Sequence, residues 1–166
     1  MDPFLAWLEL TTFSTWVRES PSVFAFPAIL SCHTVGMGLA AGINAALALR
    51  ILGAAPGIAI HEMKRFFPVM WFGFWLNAIS GVVLLIAYPT KALTNPLFYF
   101  KLALVAVAVA LIGPITRRVF GNPDPMPAPI GRHVKRLAIT SLVCWAGVII
   151  SGRLLAYTYS RLMQGF

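Results

Sequence analysis

The sequence is poor in charged residues and poorer still in acids. Charged side chains make up 11% of the 166 residues, and only five are Asp or Glu, against 13 Lys or Arg. Hydrophobic residues reach 59%, and the mean hydropathy is +0.81. A soluble domain of this size needs a more polar surface, so the composition excludes that class and indicates an integral membrane protein.

Cysteine is also scarce, which narrows the chemistry further. Cys32 and Cys144 stand in separate apolar runs without CxxC spacing, so we expect neither a disulfide framework nor a zinc site, and we interpret both as small core residues. The basic residues lie at the ends of apolar runs without interleaved aromatics, which argues against a nucleic-acid partner. The start, MDPFLAWLEL, has no basic region, so we expect no signal peptide.

Four apolar segments are long enough to cross a bilayer, at about residues 23–52, 66–88, 97–116 and 137–159. Before them, apolar residues at three- and four-residue spacing over about 3–18 predict an amphipathic helix lying in the interface. The segment 121–131 holds four prolines and is interpreted as a loop. We therefore predict a single all-α domain, an integral membrane four-helix up-down bundle preceded by an interfacial helix.

Lysine and arginine are distributed unevenly between the two ends of the predicted bundle. Only Arg18, Lys91 and Arg161 lie near the termini or in the loop after the second crossing. The connections after the first and third crossings, at the opposite end, carry eight basic residues: Arg50, Lys64, Arg65, Arg117, Arg118, Arg132, Lys135 and Arg136. The positive-inside rule then predicts both termini outside, which is the periplasm for a bacterial inner membrane.

Each crossing carries one unusual polar residue: His33, Asn77, Lys101 and Arg153. With the predicted topology all four fall in the outer half of the membrane, His33 at a depth of about 15 Å. A charge in mid-helix is costly, so Lys101 and Arg153 should face a protein interior or polar cavity, unless they snorkel to headgroups. Asn77 could instead bond a neighbouring helix, and His33 could donate to a carbonyl or hydroxyl across the bundle.

Small residues accompany the histidine. Gly36 and Ala40 share its face at i+3 and i+7, and Gly38 with Gly42 forms a GxxxG step on an adjacent face. Such faces admit another helix or a flat ligand such as a porphyrin. Because no carboxylate in any crossing balances the two cations, haem b is the favoured ligand: His33 would bind its iron, and Lys101 or Arg153 would pair with its propionates. Gly36, Ala40 and Asn77 would complete the cofactor site.

Other metal sites are less well supported. Copper(I) would want sulfur ligands, but Cys32 points about 100° away from His33, and Met37 is the only nearby sulfur on the same face. His61 and His133 lie at the basic boundary, where exposed histidines are usual, although a bis-histidine site is conceivable. The sequence identifies no second axial ligand for an iron bound by His33.

Several of these stretches resemble a known family. The histidine of SCHTVGMGLAAG, the helix FFPVMWFGFWLNAISGVVLL and the lysine of NPLFYFKLALVAVAVAL resemble the membrane protoporphyrinogen oxidase and copper-resistance D superfamily, over about residues 23–118, and related uncharacterised four-helix bacterial membrane families. The resemblance implies haem binding at His33 and an essential role for Lys101. Arg153 has no counterpart in it.

Three functions remain in competition. The first is a haem b-binding membrane protein with a redox or electron-transfer role, which includes an enzyme acting on a small oxidisable molecule. The second is a non-catalytic accessory subunit that packs against partner membrane subunits or copies of itself through its small-residue faces. The third is a copper or small-solute permease component. Lipid is the expected surrounding in each case.

Overall fold

The computed structural model describes residues 3–121 and 130–163, with the side chains of 156 and 158–163 left out of the description. Most of the described residues are helical, and none lies in a β-strand. The α-helices are α1 Pro3–Glu9, α2 Thr12–Glu19, α3 Phe26–Leu52, α4 Phe67–Ala87, α5 Pro89–Leu93, α6 Pro96–Phe120 and α7 Arg132–Met163, and a 3-10 helix, Ile60–Phe66, leads into α4.

Among the described residues, four helices are long and apolar enough to cross a membrane: Phe26–Leu52, Ile60–Ala87, Pro96–Phe120 and Arg132–Leu155. Each corresponds to one of the four predicted crossings. The chain is therefore a multi-pass membrane protein by the length and composition of its helices.

Local sequence explains where these helices begin and end. Pro27 and Pro96 occupy first-turn positions of α3 and α6, where a missing amide hydrogen costs nothing, and the Asn95 side chain accepts a hydrogen bond from the Leu97 amide at 3.0 Å. At the other end of α3, Gly53 has a φ of 109°, a left-handed conformation that favours glycine. Capping residues thus delimit the crossings.

The N-terminal segment forms two short helices where the sequence predicted one over about 3–18. Thr11 accounts for the break: its hydroxyl donates to the Leu8 carbonyl at 2.8 Å and accepts from the Ser14 amide at 3.4 Å. The same side chain therefore closes α1 and caps α2. Both helices pack against the end of α4, and α1 also packs against the short helix α5.

The crossings pack as a row, α4 against α3, α3 against α7, and α7 against α6. Helices α3 and α4 run in opposite directions, since Gly36 of α3 meets Asn77 of α4 while Ala40 meets Gly73. The flanking helices α4 and α6 share no comparable interface, although Phe67 and Phe120 meet edge to face at 5.7 Å between ring centroids. The row is consequently open between α4 and α6.

Small side chains form much of the core where α3, α6 and α7 meet. One buried cluster contains Ala40, Ala41, Ala108, Cys144 and Trp145, and a second contains Leu47, Ala48, Ile51, Ile115 and Ala138. The interpretation of Cys144 as a core residue is confirmed. That of Cys32 is wrong, because its side chain is exposed on α3. An apolar helix surface in a membrane can face lipid as readily as protein, which is why the sequence did not distinguish the two cysteines.

Candidate functional site

His33 lies on α3 and is held by the backbone of α4. Its Nδ1 is 3.0 Å from the carbonyl oxygen of Asn77 and 3.2 Å from the Ser80 hydroxyl oxygen. A carbonyl oxygen can only accept a hydrogen bond, so Nδ1 must be the ring nitrogen that carries the proton. In a neutral imidazole this leaves the lone pair on Nε2, the nitrogen that is then able to bind a metal or accept a proton.

The hydrogen bonding between the two helices is reciprocal. The Asn77 side-chain amide donates to the carbonyl oxygen of His33 at 2.7 Å, while Asn77 supplies its own carbonyl to the ring of His33. The Ser80 hydroxyl lies 2.6 Å from the Leu76 carbonyl, within α4. Asn77 therefore bonds a neighbouring helix, which was the alternative to cofactor contact considered for it. The Asn77 carbonyl and the Ser80 hydroxyl orient the His33 ring.

Glycines bring the two helices close enough for these bonds. A Cβ at Gly36 would lie 2.6 Å from both the Asn77 amide nitrogen and the Gly73 carbonyl oxygen, distances that no real side chain adopts. A Cβ at Gly81 would lie 3.1 Å from Cε1 of His33, so this glycine leaves room for the imidazole. Glycine is required at Gly36 by the close approach of the α4 backbone, and at Gly81 it lets the imidazole lie against α4 without a shift.

This packing corrects one part of the predicted cofactor site. Gly36 and Ala40 were expected to admit a porphyrin against α3. In the structure both are buried, and α4 occupies the face of α3 that they form. The small residues serve helix contact, because a surface that matches a flat ligand also matches the backbone of another helix.

Lys101 approaches the histidine from α6. Its Nζ lies 3.7 Å from the position that a Cβ of Gly152 would occupy on α7, and its charge is near enough to interact with His33. Among residues 3–121 and 130–155, the structure shows no hydrogen bond or carboxylate partner for this ammonium group. Lys101 thus lies on the same side of the bundle as His33 and carries a positive charge that the described part of the chain does not neutralise.

Arg153 does not join this pair. Its side chain is exposed, and it makes no hydrogen bond or ion pair with the described residues. It follows Gly152, which lies beside Lys101, and successive helical residues point about 100° apart. The convergence of four polar residues is therefore reduced to three, His33, Asn77 and Lys101, with Arg153 on the surface.

The other candidate ligands lie elsewhere. No group of three His, Cys, Asp or Glu side chains that could hold a metal ion occurs among the residues that the structure describes. Met37 packs against the core cluster of Ala40 and Trp145. His61 and His133 are exposed, and Nε2 of His61 lies 3.3 Å from a carboxylate oxygen of Glu62. Exposed boundary histidines were the expected alternative for both.

The sequence analysis missed two polar contacts, one at the His33 site and one between the N-terminal helices and α4. Ser80 lies three residues after Asn77, on the same helix face, and this spacing would have identified it as a third polar group near His33. Arg18 donates to the Ala87 carbonyl at 3.1 Å and to the Glu9 carbonyl at 2.8 Å, so it joins α1 and α2 to the end of α4. The sequence does not show which helix end lies beside Arg18, so it could not identify this residue as a C-cap of α4.

No family model, curated protein or solved structure matches the chain. The site must therefore be judged by its own chemistry. It offers one ring nitrogen with a free lone pair, a neighbouring cation without a carboxylate partner among the described residues, and apolar surroundings. These groups can bind a ligand that combines a metal or proton donor with a negative charge.

Proposed function

We propose that this protein binds haem b through His33 and has a redox or electron-transfer role. The observation that carries the proposal is the hydrogen bond from Nδ1 of His33 to the Asn77 carbonyl. Axial and metal-binding histidines commonly donate their second ring nitrogen in this way, which holds the tautomer and the ring orientation. The superfamily resemblance supports the same assignment.

The described residues supply an axial ligand and a cation for haem, but the predicted seat for the porphyrin ring is not available. His33 supplies an oriented imidazole, and Lys101 supplies a cation that would pair with a propionate. The seat predicted on Gly36 and Ala40 is filled by α4. A bound haem would supply one-electron chemistry, while the chain would orient the ligand ring through Asn77 and Ser80 and exclude water with its apolar helices.

We propose a bacterial inner-membrane location, with an up-down bundle and both termini in the periplasm. The eight basic residues that predict this orientation lie at one end of the four crossings. The N-terminal helices pack at the other end, beside the last turn of α4. Phe4, Trp7, Phe13 and Trp16 are exposed there, which supports contact between these helices and the membrane interface.

The haem proposal is tested by the visible spectrum of the purified protein, with the cofactor identified after extraction. We expect a Soret band in the unmodified protein, its loss in His33→Ala, and its retention in His61→Ala and His133→Ala, which remove exposed histidines. Lys101→Met should weaken haem retention, and Arg153→Met should not, because only Lys101 approaches His33. Absence of haem from protein expressed with haem supplied would refute the proposal, as would full retention in His33→Ala.

A subunit role is the second candidate, and a separate observation favours it. Gly38 and Gly42 are exposed on α3, and nothing in the described structure lies within 4 Å of a Cβ at either position. A GxxxG step unused within the chain is typical of a helix that packs against another chain. Cross-linking between cysteines placed at Gly38 in two copies, or to a copurifying membrane protein, would test it. A copper or small-solute permease has no comparable support.

A further inference from the structure

The opening between α4 and α6 contains a groove at the basic end of the molecule. Its volume is about 630 Å³, a size typical of small-molecule sites, and it lies well away from His33. The 3-10 helix and α4 contribute Lys64, Phe67 and Trp71. The facing wall, on α6, runs from Val109 to Gly121 and includes Gly113, whose Cβ position has nothing within 4 Å.

The groove is apolar along its length and positively charged at its end. Lys64 and Arg117 stand on opposite walls at the basic boundary. Neither forms an ion pair in the part of the chain that the structure describes, whereas their neighbour Arg65 is bonded to Glu62 at 3.2 Å. An apolar groove with two unneutralised cations at the membrane boundary is complementary to an amphiphile with an anionic headgroup.

The dimensions agree with that occupant. From Val109 to Arg117 the α6 wall rises by eight residues, or about 12 Å at the α-helical rise of 1.5 Å per residue. One leaflet of the hydrocarbon core is about 15 Å thick. An acyl chain in the groove would therefore extend through most of one leaflet and end at the boundary where Lys64 and Arg117 lie.

We propose that this groove binds one anionic phospholipid, with an acyl chain between α4 and α6 and its phosphate between Lys64 and Arg117. The lipid would fill the side of the row that protein leaves open, so it would connect the α3–α4 pair to the α6–α7 pair. Basic pockets between transmembrane helices at a basic boundary have this preference in general. The proposal does not depend on haem binding.

The charge component is tested by native mass spectrometry of the full chain in detergent with equal amounts of phosphatidylglycerol and phosphatidylcholine of the same acyl chains. We expect one retained phosphatidylglycerol per chain. Arg117→Gln and Lys64→Gln should each lower its retention about fivefold, consistent with the contribution of a basic residue near an anionic lipid. Arg118→Gln is the matched control, because this adjacent arginine does not line the groove, and its retention should be unchanged.

The location is tested by filling the groove. Gly113→Phe should lower phosphatidylglycerol retention at least tenfold, and Val107→Phe, which adds bulk to an exposed position of α6 outside the groove, should not. If Gly113→Phe does not fold, Ala110→Leu on the same wall replaces it. Equal retention of the two lipids, equal losses in Arg117→Gln and Arg118→Gln, or full retention in both wall variants would overturn the proposal. His33→Ala should leave lipid retention unchanged, so a failure of the haem proposal is distinguishable.

Discussion

The contact of Gly36 with α4 leads to a quantitative prediction for Gly36→Ala. A Cβ there would lie 2.6 Å from two backbone atoms of α4, the Asn77 nitrogen and the Gly73 oxygen. Ordinary contacts between such atoms are about 3.5 Å, so the helices would have to separate by about 1 Å. Overpacking of this kind costs about 1–3 kcal/mol, and backbone atoms cannot rotate away as side chains can.

A matched control isolates this cost. Gly38→Ala makes the same chemical change two residues away on the same helix, where nothing lies within 4 Å of the added atom. Both variants gain the same helix propensity, about 1 kcal/mol, so the difference between them reports packing alone. We expect Gly36→Ala to be less stable than Gly38→Ala by about 1–3 kcal/mol, which is roughly fivefold to 150-fold in the unfolding equilibrium.

The free energies of unfolding can be compared by denaturant titration in detergent micelles. The separation of the helices should also lengthen the hydrogen bond from His33 to the Asn77 carbonyl, now 3.0 Å. Nitrogen NMR of the His33 ring would detect the loss of its defined tautomer. Equal stability of Gly36→Ala and Gly38→Ala, with an unchanged ring signal, would refute the close α3–α4 contact and the orientation of His33 derived from it.

Two further predictions concern the N-terminal helices and the topology. Arg18→Gln should detach α1 and α2 from α4 at a cost of about 1–3 kcal/mol, because it removes a charged donor from the Ala87 and Glu9 carbonyls. Hydrogen exchange of the α2 amides should then accelerate. Glu19→Gln, an exposed control on the same helix, should leave the exchange rate unchanged. In a variant without native cysteines, an impermeant thiol reagent applied from the periplasmic side should label a cysteine at position 91 and not one at position 124, which lies outside the described residues; the reverse result would invert the orientation.

Local sequence determined the helices of this protein. Runs of apolar residues about 20 long specify membrane-crossing helices because a bilayer offers the backbone no other hydrogen-bond partners. Asn95 begins α6 and Gly53 ends α3 through hydrogen bonds to residues that are near in sequence. The break at Thr11 is equally local, and its double role could have been read from a threonine between two short apolar segments.

Tertiary structure decided which faces of those helices meet. In water, apolar faces turn inward and polar faces outward, but in a membrane the surfaces facing lipid and protein are both apolar, so hydropathy does not tell them apart. Cys32 and Arg153 are therefore exposed, against expectation, while Gly36 contacts a helix backbone and not a cofactor. The bond from His33 to a backbone carbonyl 44 residues away was also beyond the sequence, because every residue except proline carries the same backbone groups and only packing selects which one the imidazole reaches.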